Sequence, residues 1–149
     1  MPKDRLGKHI SLIYRYNQIF FNAALKKYNL GSGQYIFLVT LFENNGINQE
    51  QLSNIVKIDK TTTARAVAKL VDENYVIRKI DKNDKRAYNL YTTDKAESIK
   101  NILYDIIDDW NKIMLDDLNY EERKSLLKLT EKVASNIIRQ INQFESNNK

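Results

Sequence analysis

The chain has 149 residues, no cysteine, one histidine (His9), and a formal charge of +5 from 24 Lys and Arg against 19 Asp and Glu. That length suits one domain with a core large enough to need no covalent staples. The missing cysteines exclude disulfides, zinc–thiolate sites and a cysteine nucleophile, and one histidine cannot build a His-rich metal site. No apolar run approaches the roughly 18 residues of a membrane span. The start, Met1–Arg5, leads into an amphipathic segment rather than an apolar signal core. A cytoplasmic protein with no membrane partner, no metal and no cofactor is expected. The charge is uneven: residues 1–30 carry +5 and residues 57–86 carry +4, while residues 31–56 and 87–149 carry −2 each. A polyanion would meet the first and third of these segments.

Helical periodicity opens the chain. Leu6, Ile10, Ile13, Tyr14, Phe21, Ala24 and Tyr28 form one stripe, and Leu12, Tyr16, Ile19 and Ala23 a second on the opposite side. A helix over Leu6–Tyr28 that is apolar on two sides needs two coverings. Gly31-Ser32-Gly33 ends it, and Ser32 is the expected N-cap of a helix over Gln34–Glu43. After the Asn44-Asn45-Gly46 break, Asn48 caps a short helix over Gln49–Val56, and Asp59 caps a helix over Lys60–Glu73. The period then changes. Tyr75–Ile80 and Ala87–Thr92 read as two strands around the polar turn Asp81–Lys85. Thr93 caps a long helix to about Asp117, and a last helix starts near Tyr120. A short helix, a tight connection, a second helix and a hairpin spell a winged helix-turn-helix over about 31–95. The fold class is mainly α with one small β-hairpin, flanked by helices at both ends.

Two segments carry the chemistry. On the 60–73 helix, Ala64, Val67, Ala68 and Val71 share one face, with Leu70 at its edge. The opposite face presents Thr62, Arg65, Ala66 and Lys69, with Thr61 beside them. Small and hydroxylic residues let a helix sink into a major groove, and Arg can read guanine with two hydrogen bonds. A plain solvated face is the competing reading, but Thr is a poor helix former and contributes little there. At the hairpin tip, Arg86 is placed to enter a minor groove, with Asp84 holding its guanidinium; a merely polar turn is the alternative. The adjacent acids Asp108-Asp109, Asp116-Asp117 and Glu121-Glu122 point about 100° apart on a helix, which suits solvation rather than paired catalysis. The four glycines form no phosphate loop. No enzyme is expected. Tyr14, Phe21, Tyr35 and Trp110 are candidates for an effector pocket, against an ordinary core role.

The stretch Ile58-Asp59-Lys60-Thr61-Thr62-Thr63-Ala64-Arg65, followed by Leu70, Arg78, Asp84-Lys85-Arg86 and Thr93, resembles the MarR family of bacterial transcription regulators. The resemblance covers the whole chain, and its most specific part is the Asp-x-Arg of the wing. It implies that Arg86 contacts the minor groove, that Asp84 braces the wing, and that Thr61, Thr62 and Arg65 touch phosphate or bases. The DNA-binding set is then Lys60, Thr61, Thr62, Thr63, Arg65, Lys69, Arg78, Asp84, Lys85 and Arg86. The resemblance also implies a homodimer through residues 1–30 and 96–149, one intertwined helical region, and a pseudo-palindromic operator on double-stranded DNA. It implies a repressor relieved by a small aromatic or lipophilic effector. Asn74 stands where the family usually has Gly, and Asn tolerates the positive φ at which a helix can end. The absent cysteine excludes the family's thiol-oxidation sensors. The competing function is a winged-helix protein–protein adaptor without DNA specificity, against which stand Arg65, Lys69, Lys85 and Arg86.

Overall fold

Side-chain caps decide where four of the helices begin. The computed structural model describes residues 5–148. In chain order it contains α1 (Leu6–Leu25), a 3-10 turn (Lys26–Tyr28), α2 (Tyr35–Glu43), α3 (Gln49–Val56), α4 (Lys60–Asp72), β1 (Val76–Ile80), β2 (Tyr88–Thr92), α5 (Asp94–Met114) and α6 (Tyr120–Asn147). Asn48 accepts from the Gln51 amide at 2.8 Å while the Gln51 side chain accepts from the Asn48 amide at 3.0 Å, a reciprocal box at the start of α3. Asn119 and Glu122 repeat that box at α6, with both bonds at 2.9 Å. Asp59 accepts from the Thr62 amide at 2.8 Å to open α4, and Thr93 Oγ1 accepts from the Ala96 amide at 3.2 Å to open α5.

Ser32 is not the cap of α2. Its amide donates to Asn22 Oδ1 at 2.8 Å, and the carbonyl of Gly31 takes the first amides of the turn, from Gln34 and Tyr35. The Gln34 side chain accepts in return from the Gly31 amide at 3.0 Å. A Cβ on Gly31 would lie 2.5 Å from Asn22 Oδ1, so a side chain there would push Asn22 off the Ser32 amide. The last turn of the expected first helix tightens to 3-10 and closes on Asn29, at φ 56°. Asn74, at φ 61°, ends α4 in the left-handed region as its residue type allows.

The two strands pair antiparallel with Val76 opposite Thr92, Arg78 opposite Leu90 and Ile80 opposite Tyr88. The segment before α3 joins them: the Leu90 amide donates to the Ile47 carbonyl and the Gly46 amide to the Leu90 carbonyl, both at 2.8 Å. The hairpin is thereby tied to the helix-turn-helix and does not hang free.

Residues up to Trp110 form one compact unit and those from Asn111 onward another. The core of the first unit draws on Phe21 and Leu25 of α1, Phe37, Leu38 and Leu41 of α2, Leu52 of α3, Val67 and Leu70 of α4, Tyr75, Val76 and Leu90 of the wing, and Ala96, Ile99 and Leu103 of α5. Helices on both sides of residues 31–95 therefore share the winged region's core. The second unit lacks a buried apolar interior: α6 has no buried residue. Along α1, the earlier apolar positions Leu6, Ile10, Leu12, Ile13, Tyr14, Tyr16 and Ile19 are exposed. Leu70 is completely enclosed where α4 meets the core. Leu70→Ala should cost about 2–5 kcal/mol in urea unfolding followed by circular dichroism.

Candidate nucleic-acid interface

The buried stripe of α4 is Thr63, Ala66, Val67 and Leu70, at helical spacing i, i+3, i+4, i+7. This rotates the helix by about one residue from the sequence expectation. Ala66, expected on the exposed face, is 4% exposed and belongs to the core. Thr63, expected among the DNA-binding residues, is fully enclosed and cannot touch a duplex. Its Oγ1 donates to the Ile58 carbonyl at 3.4 Å, and Ser53 Oγ donates to the same carbonyl at 2.7 Å. These two hydroxyls pin the turn between α3 and α4, whose pivot Lys57 sits at φ 58°. The outer face keeps Lys60, Thr61, Thr62, Arg65 and Lys69 in solvent. At the helix start, the Thr62 amide and side chain hold the Asp59 carboxyl below its ordinary range.

The wing turn is organised by a residue that sequence reasoning left as plain turn material. Asp81 Oδ1 accepts from the amides of Asn83 at 2.7 Å and Asp84 at 3.1 Å, and its Oδ2 accepts from Asn89 Nδ2 at 2.8 Å. The Asn83 amide, then the Asn89 side chain and the Asp84 amide, hold the Asp81 carboxyl below the usual carboxylate range. The Asp-x-Asn spacing of an Asx turn was the signal available for it. Asp84 does not hold the Arg86 guanidinium. Its Oδ1 accepts from the Arg86 backbone amide at 3.0 Å, so it braces the chain rather than the side chain. The side chains of Lys82, Lys85 and Arg86 stand exposed at the tip, with Arg78 exposed on β1.

The four aromatic residues expected in an effector pocket separate. Tyr14 and Tyr35 line a cleft of about 220 Å³ that extends from α1 and α2 to Ile58 and Thr62 at the head of α4. Phe21 lies in the core, stacked on Tyr35 at 3.9 Å between ring centres and 2° between planes. Trp110 stacks on Phe20 at 4.8 Å and does not line that cleft. Burial against the core claims these two rings. Among the described residues no cluster of His, Asp and Glu could hold a metal ion, and no helix is long and apolar enough to cross a membrane.

An amphipathic second helix with an exposed Thr/Arg/Lys face, set beside a braced hairpin with cations at its tip, defines a winged helix-turn-helix of the nucleic-acid-binding kind. Residues 30–88 match the model of the MarR family. The HTH-type transcriptional regulator YybA of Bacillus subtilis is 30% identical over 142 residues, 95% of each chain. A MarR transcriptional regulator from Methanosarcina mazei Go1 has the same fold at a TM-score of 0.84 and 40% identity, over 90% of this chain and 96% of that one. A MarR family regulator from Listeria monocytogenes, solved in complex with 26mer DNA, matches at a TM-score of 0.84 and 33% identity, over 90% and 89% of the two chains. The chain belongs to the MarR family.

The Asp81 brace has a pH signature. Because its folded value is depressed, the order it lends the turn is complete above about pH 4, the ordinary aspartate value. That order is lost as pH falls through the lowered folded value. Amide exchange at Asn83 and Asp84 should accelerate over that acidic window, beyond the intrinsic trend. In Asp81→Ala the two amides should be poorly protected at every pH.

Proposed function

We propose that this protein is a transcription regulator that binds a pseudo-palindromic operator as a homodimer and represses. The observation that carries this reading is the pairing of two presented elements. One is the outer face of α4, with Thr62, Arg65 and Lys69. The other is the tip of a wing stiffened by Asp81 and Asp84, with Arg86. Each recognition helix enters a major groove and each wing an adjacent minor groove, as two-fold symmetric winged helices do on duplex DNA. That the Listeria relative was solved in complex with 26mer DNA supports DNA as the partner. An adaptor that had lost DNA binding would have no use for Arg65, Lys69, Lys85 and Arg86 in solvent on these two elements.

Dimerisation is supported by apolar surface left uncovered within one chain. Leu6, Ile10 and Ile13 on α1, and Leu127, Ile137, Ile141 and Phe144 on α6, are all more than 40% exposed. Helical faces of this kind are covered when a second copy supplies the missing partner. The interface should exceed about 2,000 Å² in total, as obligate homodimers do. Light scattering at micromolar concentration should give twice the 17.5 kDa chain mass, and a 17.5 kDa particle would overturn the dimer.

A small aromatic or lipophilic effector that relieves binding is supported by the cleft of about 220 Å³ behind Thr62, with Tyr14 and Tyr35 in its lining. A ligand there would press on the head of the recognition helix. The volume lies below the roughly 300–1,000 Å³ of drug-sized pockets, so the effector is small.

Duplexes selected from a random pool supply the operator for the decisive test. Arg65→Ala should lose about 1–3 kcal/mol on it and relax the preference at one base position in each half-site. Arg86→Ala should lose at least as much, with the fold intact. Lys85→Ala should weaken operator and random duplex alike and flatten the salt slope by about one. Equal losses for Arg65→Ala on both duplexes would make Arg65 a phosphate contact and remove base readout from this face.

A further inference from the structure

Arg78 and Arg86 line one cleft of about 270 Å³ together with Tyr88 of β2 and with Asn48, Gln49 and Glu50 at the start of α3. Among the described residues neither guanidinium has an ion-pair or hydrogen-bond partner; the contact made by Arg86 uses its backbone amide. A guanidinium offers five donors in a planar fork that matches a phosphate. Two such groups on one cleft repel each other until an anion sits between them. The acid in the lining, Glu50, is turned to Lys60 Nζ at 3.4 Å, at the first residue of α4. The start of α3 adds the positive end of a helix dipole on the same side.

The position of the cleft names its occupant, given the DNA-binding reading on which this inference rests. One rim is Glu50, bonded to Lys60 at the head of the recognition helix, and the other is Arg86 of the wing. With α4 in a major groove and Arg86 in the adjacent minor groove, the sugar–phosphate strand that divides the two grooves crosses between those rims. We propose that this cleft seats a phosphodiester of that strand, with Arg78 as its principal ligand. Arg78 lies on β1, well back from the wing tip, which suits a group that positions the duplex rather than one that reads it. Glu50 on the rim opposes the phosphate and moderates sequence-independent affinity, and its bond to Lys60 holds it off.

The test is a salt titration on random-sequence duplex with wild type, Arg78→Ala, Arg78→Lys and Glu50→Gln, with a melting temperature for each. Arg78→Ala should weaken binding and flatten the log K against log salt slope by about 0.9 for each phosphate lost. Arg78→Lys should keep the slope and lose part of the affinity, since the charge remains and the fork does not. Glu50→Gln should bind more tightly than wild type. Should Arg78→Ala melt early, the lysine variant and Glu50→Gln carry the comparison in folded protein. An unchanged slope for Arg78→Ala, with wild type binding normally, overturns the phosphate seat and leaves the DNA-binding reading standing. So does a change confined to base preference. Failure of wild type to bind any duplex at low salt overturns both.

Discussion

Burial of a single stripe of α4 is the constraint on which the interface depends. Thr63, Ala66, Val67 and Leu70 are taken up by the core, so Thr62, Arg65 and Lys69 have no side to occupy but the outer one. Rotation of the helix about its own axis would expose Leu70 and drive Arg65 inward, at the cost of lost apolar burial and a desolvated charge. The Ile58 carbonyl, shared by the hydroxyls of Ser53 and Thr63, fixes where the helix begins relative to α3. Two small hydroxyl contacts thus help set the register of the outer face of α4.

The far end of α4 is held as tightly. Lys95 Nζ donates to the Glu73 carbonyl at 2.6 Å, Thr93 Oγ1 to the Asn74 carbonyl at 2.7 Å, Asn29 Nδ2 to Glu73 Oε2 at 3.2 Å, and the buried Tyr75 hydroxyl to the Tyr28 carbonyl at 2.9 Å. These bonds join the recognition helix to the segment that ends α1 and to the first turn of α5. A displacement of either flanking helix would reach α4 through groups with defined directions rather than through a soft apolar contact.

The wing follows a different economy. It contributes Val76 and Leu90 to the core and leaves its tip to electrostatics. Carboxylates of Asp81 and Asp84 are spent on backbone amides, which rigidifies the turn without pairing them to the arginine side chains. The exposed cations at the tip are therefore left unpaired by these two acids, whose own charge is met by amide donors.

Much of this was legible in the residues. Period 3.6 placed the helices, the change to β-branched and aromatic residues at Tyr75 placed the hairpin, and Asn48, Asp59 and Thr93 marked helix starts, because caps and periodicity are local properties. That Arg65 and Arg86 stand in solvent was legible for the same reason: one lies on a polar helix face, the other in a polar turn. What the chain could not disclose alone is contact between distant segments. Asn22 claims the Ser32 amide from α1, so Ser32 caps nothing. Packing from α2 and α3 turns α4 by one residue, which buries Thr63 and Ala66. The core takes Phe21 from the expected pocket, and Asp84 engages an amide where a guanidinium was expected. Composition and periodicity determined which elements exist and where the cations lie along them. Tertiary packing alone decided which side of each element faces out, since burial is settled by neighbours far away in sequence.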